Sequence, residues 1–303
     1  MKYNQLSPEE EYVIVDKGTE TPFSGEYDNF YEPGIYVCRR CMTPLYNSAD
    51  KFDAHCGWPS FDQEIAGRVK RVPDADGKRT EISCIVCSAH LGHVFVGEKM
   101  TAKDTRHCVN SLSLKFIPTS EPGSPIETIV LGNGCFWCSE AIFKSLQGVR
   151  SVMPGYAGGE KQDPTYEEVS SGTTGHAEVV RLEYNPGQID LWTILKVFFT
   201  LHDPTSVDRQ GSDVGPQYRS IILYSTQRQH DVAISFMAGL EADHVYQQPI
   251  VTQVVPLADF YAAEDYHRDY FTNHSHAPYC QMVISPKIKK LQEEFKPLLK
   301  FPA

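Results

Sequence analysis

Two Cys-x-x-Cys pairs, Cys38-Arg-Arg-Cys41 and Cys84-Ile-Val-Cys87, constrain this chain more than any other feature. Each pair puts two thiolates on one tight turn, and two such turns close a tetrahedral shell around a zinc ion. Four sulfur ligands leave no open position for a reacting water. The ion is therefore expected to be structural, one per chain, holding together a β domain of modest core. A redox dithiol is the alternative reading of either pair. Cys56, Cys108, Cys135, Cys138 and Cys280 bring the cysteine count to nine, an odd number. The opening MKYNQLSPEEEYVIVD is acidic where a secretion signal would be basic and then apolar. A disulfide framework is thus not expected, and the chain reads as soluble and cytoplasmic.

At 303 residues the chain has room for two domains. Residues 118–127 read as a linker rich in proline and polar residues, separating domains at 1–117 and 128–303. Before it, turn signals (PFSG, EPG, CGWPS, DADGK) alternate with short extended runs (GIYVC, RVKRV, HVFVG, SLKF), which predicts a mostly antiparallel β domain. After it, strands at TIVLG, AEVVRLEY, YRSIILY and IVTQVV alternate with helical patterns at SEAIFKSLQ, IDLWTILKVFFTLHD, TQRQHDVAISFMAGL (capped by Ser225) and SPKIKKLQEEFKPLL. The expected class is α+β, the second domain being a two-layer, ferredoxin-like α/β sandwich on a mixed sheet of about four strands. Net charge is −11, with no basic excess in either half, which argues against nucleic acid as a partner. No run approaches the roughly 18 apolar residues of a membrane span.

In the first half, Cys108 follows Arg106 by two residues, and a nearby cation favours the thiolate that a nucleophile needs. His90 and His93 could be core residues, metal ligands or site groups; Trp58 and Cys56 could each be simple core. TETPFSGEY, KFDAHCGWPSF, HLGHVF and RHCVNSLSLKF, in this order around the two Cys-x-x-Cys pairs, resemble the type-B methionine sulfoxide reductases over residues 8–117. The resemblance implies that Cys108 is the nucleophile and Cys56 the resolving cysteine. Trp58 would pack on the substrate methyl group, while His90, His93, Arg106 and Asn110 would hold the sulfoxide, its water and the thiolate. The family's acid after HVF has no counterpart in place within VGEKMTAKD, where Glu98 is the nearest candidate.

In the second half, Cys135 lies between a strand and a helix entry, where free N–H groups and the helix dipole lower a thiol's pKa. The Cys135/Cys138 spacing also fits a thioredoxin-like dithiol. GCFWC, GYAGGEKQDPTYEEVSSGTTGHAEVV, FFTLHDPTS, QGSDVGPQYRSIILY and YFTNHSHAPYC resemble the type-A methionine sulfoxide reductases over residues 127–300. By that resemblance Cys135 is the nucleophile, Glu178 the acid on the sulfoxide oxygen, and Tyr166 and Tyr218 its polarising partners. Asp213 would support the site, Phe136 and Trp137 would receive the methyl group, and Cys280 or Cys138 would resolve. A carboxyl can donate to a sulfoxide oxygen only while protonated, which an apolar Phe-Trp wall would promote.

Together the resemblances imply a fused reductase acting on free or protein-bound methionine sulfoxide, R epimer in the first half and S in the second. Each reaction would pass through a cysteine sulfenic acid and a disulfide, with thioredoxin as the reductant. A general dithiol oxidoreductase and a zinc-ribbon binding module are the competing classes.

Overall fold

The computed structural model describes residues 3–74, 79–118 and 126–300. The chain divides into two compact units, residues 1–119 with 234–247, and 120–233 with 248–303. Most of the expected linker, residues 119–125, lies outside the described residues; its first and last positions belong to strands on either side.

The first unit opens with helix α1 (Pro8–Ile14), started by a reciprocal cap between Ser7 and Glu10 and by proline in its first turn. Nine strands follow: β1 (Gly34–Cys38), β2 (Pro44–Asn47), β3 (Lys51–Phe52), β4 (Ser60–Phe61), β5 (Val69–Pro73), β6 (Thr80–Cys84), β7 (His90–Val96), β8 (Thr105–Val109) and β9 (Leu114–Pro118). They form sheets of order β2-β1-β9 and β3-β4-β8-β7-β6-β5. Every pairing is antiparallel, as the sequence predicts. The fully buried rings of Tyr36, Tyr46 and Phe61 fill the core, with Tyr46 stacked on Phe61 at 4.3 Å. Register does the work that matters for chemistry. Ser60 lies opposite Cys108, Cys108 opposite His93, and His93 opposite Glu81, so four strands present one row of polar side chains on one face.

The second unit carries β10 (Glu127–Asn133), α2 (Phe136–Lys144), β11 (Val149–Ala157), α3 (Tyr166–Ser170), β12 (Ala177–Tyr184), α4 (Leu191–Thr200), β13 (Arg209–Gln210), β14 (Asp213–Val214) and β15 (Ser220–Tyr224). Then come α5 (Gln227–Ala242), whose residues from 234 belong to the first unit, β16 (Gln253–Pro256), β17 (Phe260–Ala262), α6 (Tyr270–Asn273) and α7 (Ser285–Glu294). The main sheet runs β16-β15-β10-β12-β11-β17. Its inner part, β10-α2-β11-β12-α4-β15 in spatial order β15-β10-β12-β11 with antiparallel neighbours, is the split βαβ of a ferredoxin-like fold. β16 adds the one parallel pair, which makes the sheet mixed.

Three local expectations need correction. The sheet has six strands rather than about four, because β11 and β17 escape the sequence pattern. Pro154 sits inside β11, where proline argues against a strand, and β17 is only three residues long. Helix α5 is capped by Thr226, whose hydroxyl accepts from the N–H of Gln229, not by Ser225. The last helix stops at Glu294, and Pro297 sits in a separate short 3-10 turn. Among the described residues no helix is long and apolar enough to cross a membrane.

Candidate active sites

The four cysteines of the two pairs meet in the first unit, all buried, with their sulfurs within 4.8 Å of one another. The two turns repeat one geometry. Met42 N–H donates to the Cys38 carbonyl at 2.8 Å and Ser88 N–H to the Cys84 carbonyl at 2.9 Å, and both Met42 and Ser88 adopt left-handed φ, at 64° and 57°. Tetrahedral zinc with sulfur at about 2.3 Å sets its ligands roughly 3.8 Å apart. Cys38 and Cys87, and Cys41 and Cys84, stand 3.6 Å apart. So many thiols at this spacing cannot ionise together without a cation among them, so the donor set fits a metal ion.

Cys108 and His93 of this row form one wall of a cleft of about 140 Å³ lined also by Thr19, Trp58, Arg79, Gly92, Phe95 and Asn110. A Cβ on Gly92 would stand 2.1 Å from the Cys108 carbonyl, so only glycine lets β7 approach the cysteine this closely. The Cys56 sulfur lies 3.8 Å from that of Cys108 and 3.5 Å from the Ser60 hydroxyl. Trp58 donates its indole N–H to the Glu20 carbonyl at 3.2 Å. Asn110 accepts from Glu20 N–H and donates to the Leu91 carbonyl, which ties the Thr19–Glu20 segment to the cleft wall.

Arg106 lowers the Cys108 pKa, as its place in the sequence predicts, and it has two further partners. Arg106 is gripped by both oxygens of Glu98, at 2.7 and 2.9 Å, and turns its remaining nitrogen to Cys56, 3.7 Å away. Two sulfurs this close share one proton. The hydrogen bond from Cys108 pulls Cys56 down to about 5, and the same contact pushes Cys108 up. His90 is set apart from the cleft lining: it is buried, and its Nδ1 meets Glu81 at 2.9 Å.

In the second unit Cys135 is the N-cap residue of α2, and it packs with Cys138, Cys280 and Ile284 in one buried cluster. Burial raises the Cys135 pKa, with the neighbouring Cys138 adding to the rise. Cys138 moves the other way, lowered by the hydrogen bond from Cys135. Cys280 sits on a wide π turn, Cys280–Ile284, and burial raises its pKa.

Glu178 projects from β12 and is 2% exposed. It accepts the Phe136 N–H at 3.1 Å, and burial raises its pKa well above the usual carboxyl value. Phe136 packs beside Trp137 and Tyr166, at 6.2 and 6.5 Å. Burial raises the pKa of both Tyr166 and Tyr218, so both are neutral phenols able to donate. Asp213 accepts from Tyr279 at 2.7 Å.

Several residues of this wall escaped the sequence reading. Tyr270 stacks on Trp137 at 3.7 Å, and His267 accepts the Trp137 indole N–H at 3.1 Å. Glu264 accepts from Tyr156 at 2.8 Å and from the backbone N–H of Tyr166 at 2.9 Å, which anchors the start of α3. EDYHRDY, an exposed-looking charged run, gave no periodic signal for them.

Comparison with known proteins gives the family of each half. A family model described as peptide methionine sulfoxide reductase matches residues 127–298, and a SelR domain model matches residues 6–118. The chain belongs to the peptide methionine sulfoxide reductase family. It joins a SelR domain to that reductase domain in one polypeptide. A peptide methionine sulfoxide reductase MsrA of Thermus thermophilus is 52% identical over 176 residues, covering 58% of this chain and 99% of the relative. One of Sulfolobus acidocaldarius is 49% identical over 170 residues, covering 56% of this chain and 96% of the relative. The solved methionine sulfoxide reductase A of Corynebacterium diphtheriae aligns at 33% identity and a TM-score of 0.46, over 52% of this chain and 79% of that one.

Proposed function

We propose that the chain reduces both epimers of methionine sulfoxide, R in a domain at 1–117 and S in a domain at 128–303, with matches at 6–118 and 127–298 as support for these bounds. The observation that carries the reading is the repeated thiol pair, Cys56 with Cys108 at 3.8 Å and Cys135 hydrogen-bonded to Cys138, each beside an aromatic wall. In the first domain Cys108 loses its proton and attacks the sulfoxide sulfur. Oxygen passes to the cysteine, methionine leaves, and the resulting sulfenic acid condenses with the Cys56 thiol, releasing water. His93 and Asn110 line the place of the sulfoxide, Trp58 faces its methyl group, Arg106 steadies the sulfur charge, and His90 supports from behind.

In the second domain Cys135 attacks while protonated Glu178, with Tyr166 and Tyr218, donates to the oxygen as negative charge develops there. Phe136 and Trp137 receive the methyl group, and Asp213 acts through Tyr279. Cys138, which shares a proton with Cys135, resolves first, and Cys280 in the same cluster takes the disulfide onward.

Thioredoxin fits as the dithiol that restores each pair. Cys38, Cys41, Cys84 and Cys87 would hold one zinc ion, which supplies a structural cross-link. Free thiols and a thiolate metal site suit a reducing, cytoplasmic setting. The reading predicts that the reduced chain consumes racemic methionine sulfoxide past the halfway point in a chiral assay with dithiothreitol. Consumption that stops at half would leave only one site active, and no consumption would refute the reading.

A further inference from the structure

Behind His93 lies a carboxylate that no motif announces. His93 Nε2 meets Asp74 Oδ2 at 3.1 Å, and the same oxygen is held by Arg79 at 3.0 Å. Asp74 and Arg79 flank the connection between β5 and β6, closed by Asp74 N–H donating to the Arg79 carbonyl at 2.9 Å. Arg79 also reaches the cleft wall. Guanidinium, carboxylate and imidazole thus form a chain that ends on the ring directly opposite Cys108. A carboxylate at Nε2 keeps the proton on that nitrogen and fixes the plane of the ring.

We propose that Asp74 is a positioning residue for His93 in R-sulfoxide reduction, and that Arg79 in turn holds Asp74. The proposal rests on assigning that reaction to the first domain. Other groups face His93. Glu81 on β6 is opposite and engaged by Lys17 and His90, both at 2.9 Å; the His90 ring is 5.9 Å away; Cys108 lies on β8, with Cys56 and Arg106 beyond it. None of these bonds Nε2 among the described residues, so Asp74 is the partner whose removal the ring should feel.

The test uses the full chain with dithiothreitol and each epimer separately, comparing the parent with Asp74→Asn and Asp74→Glu. Asp74→Asn should lower kcat for the R epimer about tenfold, the loss typical of a lost outer hydrogen-bond partner, with KM within about threefold. Asp74→Glu should recover much of the rate, and S-epimer turnover should not change. An R-epimer kcat equal to the parent's, a loss that falls on KM rather than kcat, or a fall in kcat that Asp74→Glu does not restore, overturns the proposal. A parent inert toward the R epimer overturns the assignment beneath it.

Discussion

Glu178→Gln is the perturbation that separates a proton donor from a mere filler of space. The side chain is 2% exposed, accepts the Phe136 N–H at 3.1 Å, and has its pKa raised by burial, which favours the protonated form. Glutamine keeps the shape, the neutrality and an oxygen for Phe136, so the fold should survive with little change in Tm. What it loses is an acidic proton aimed at the sulfoxide oxygen. General acid groups contribute about 10²–10⁴-fold, and since an amide N–H still donates a hydrogen bond, the lower part of that range applies. The expected fall in S-epimer kcat is about 10²- to 10³-fold, roughly 3–4 kcal/mol of barrier. The pH profile adds a sign. A raised pKa means the active, protonated form dominates at low pH and is lost as pH rises through that value, so the parent's S-epimer rate should fall on the alkaline side. In Glu178→Gln that limb should vanish. The assay is single-epimer turnover with dithiothreitol across pH, with R-epimer turnover of the same sample as the internal standard. An S-epimer kcat within threefold of the parent's would refute the acid role.

The remaining predictions concern the cysteines. Metal analysis should find one zinc per chain, and Cys84→Ser should unfold the first domain while sparing S-epimer activity, since structural zinc sites contribute about 10–16 kcal/mol against a typical domain stability of about 5–15 kcal/mol; a variant that melts like the parent would contradict this. Alkylation by iodoacetamide at pH 6, mapped by mass spectrometry, should label Cys56 ahead of Cys108, because a thiol at about 5 is then about nine-tenths ionised; preferential labelling of Cys108 would reverse the charge assignment. After one S-epimer turnover, Cys280→Ser should form a Cys135–Cys138 disulfide, whereas Cys138→Ser should accumulate sulfenic acid trappable by dimedone; rapid disulfide formation in Cys138→Ser would make Cys280 the first resolver.

Much of this architecture was legible in the chain, for reasons that are local. The Cys-x-x-Cys turns announced the four-sulfur cluster because turn geometry alone sets their spacing, and the cluster closes as expected. The antiparallel strands of the first unit followed from alternation between turn signals. Strand β11 was hidden by Pro154 and Gly155, whose cost is local while the pairing with β12 that outweighs it is not. Helix α1 could have been read from Ser7, Pro8 and Glu10, a capping box in plain sequence. The site residues divide in the same way. Trp58, Cys108, His93 and Asn110 meet in one cleft, while Asp74, Glu264 and His267 lie outside the motifs that carry the resemblance and show their part only when the chain is folded.

Charge placement needs the fold as well as the sequence. Arg106, two residues from Cys108, lowers the pKa of that thiol as proximity predicts, and the Glu98 grip also brings its guanidinium 3.7 Å from Cys56, which no spacing announces. Cys135 occupies a helix N-terminus, yet burial raises its pKa.

The central claim is that two independent thiol centres serve opposite configurations at sulfur. It is tested most directly by chiral, epimer-resolved turnover of Cys108→Ser and Cys135→Ser, each in the full chain with dithiothreitol. The account predicts that Cys108→Ser loses only the R epimer and Cys135→Ser only the S epimer. Loss of both activities from either single substitution would contradict it.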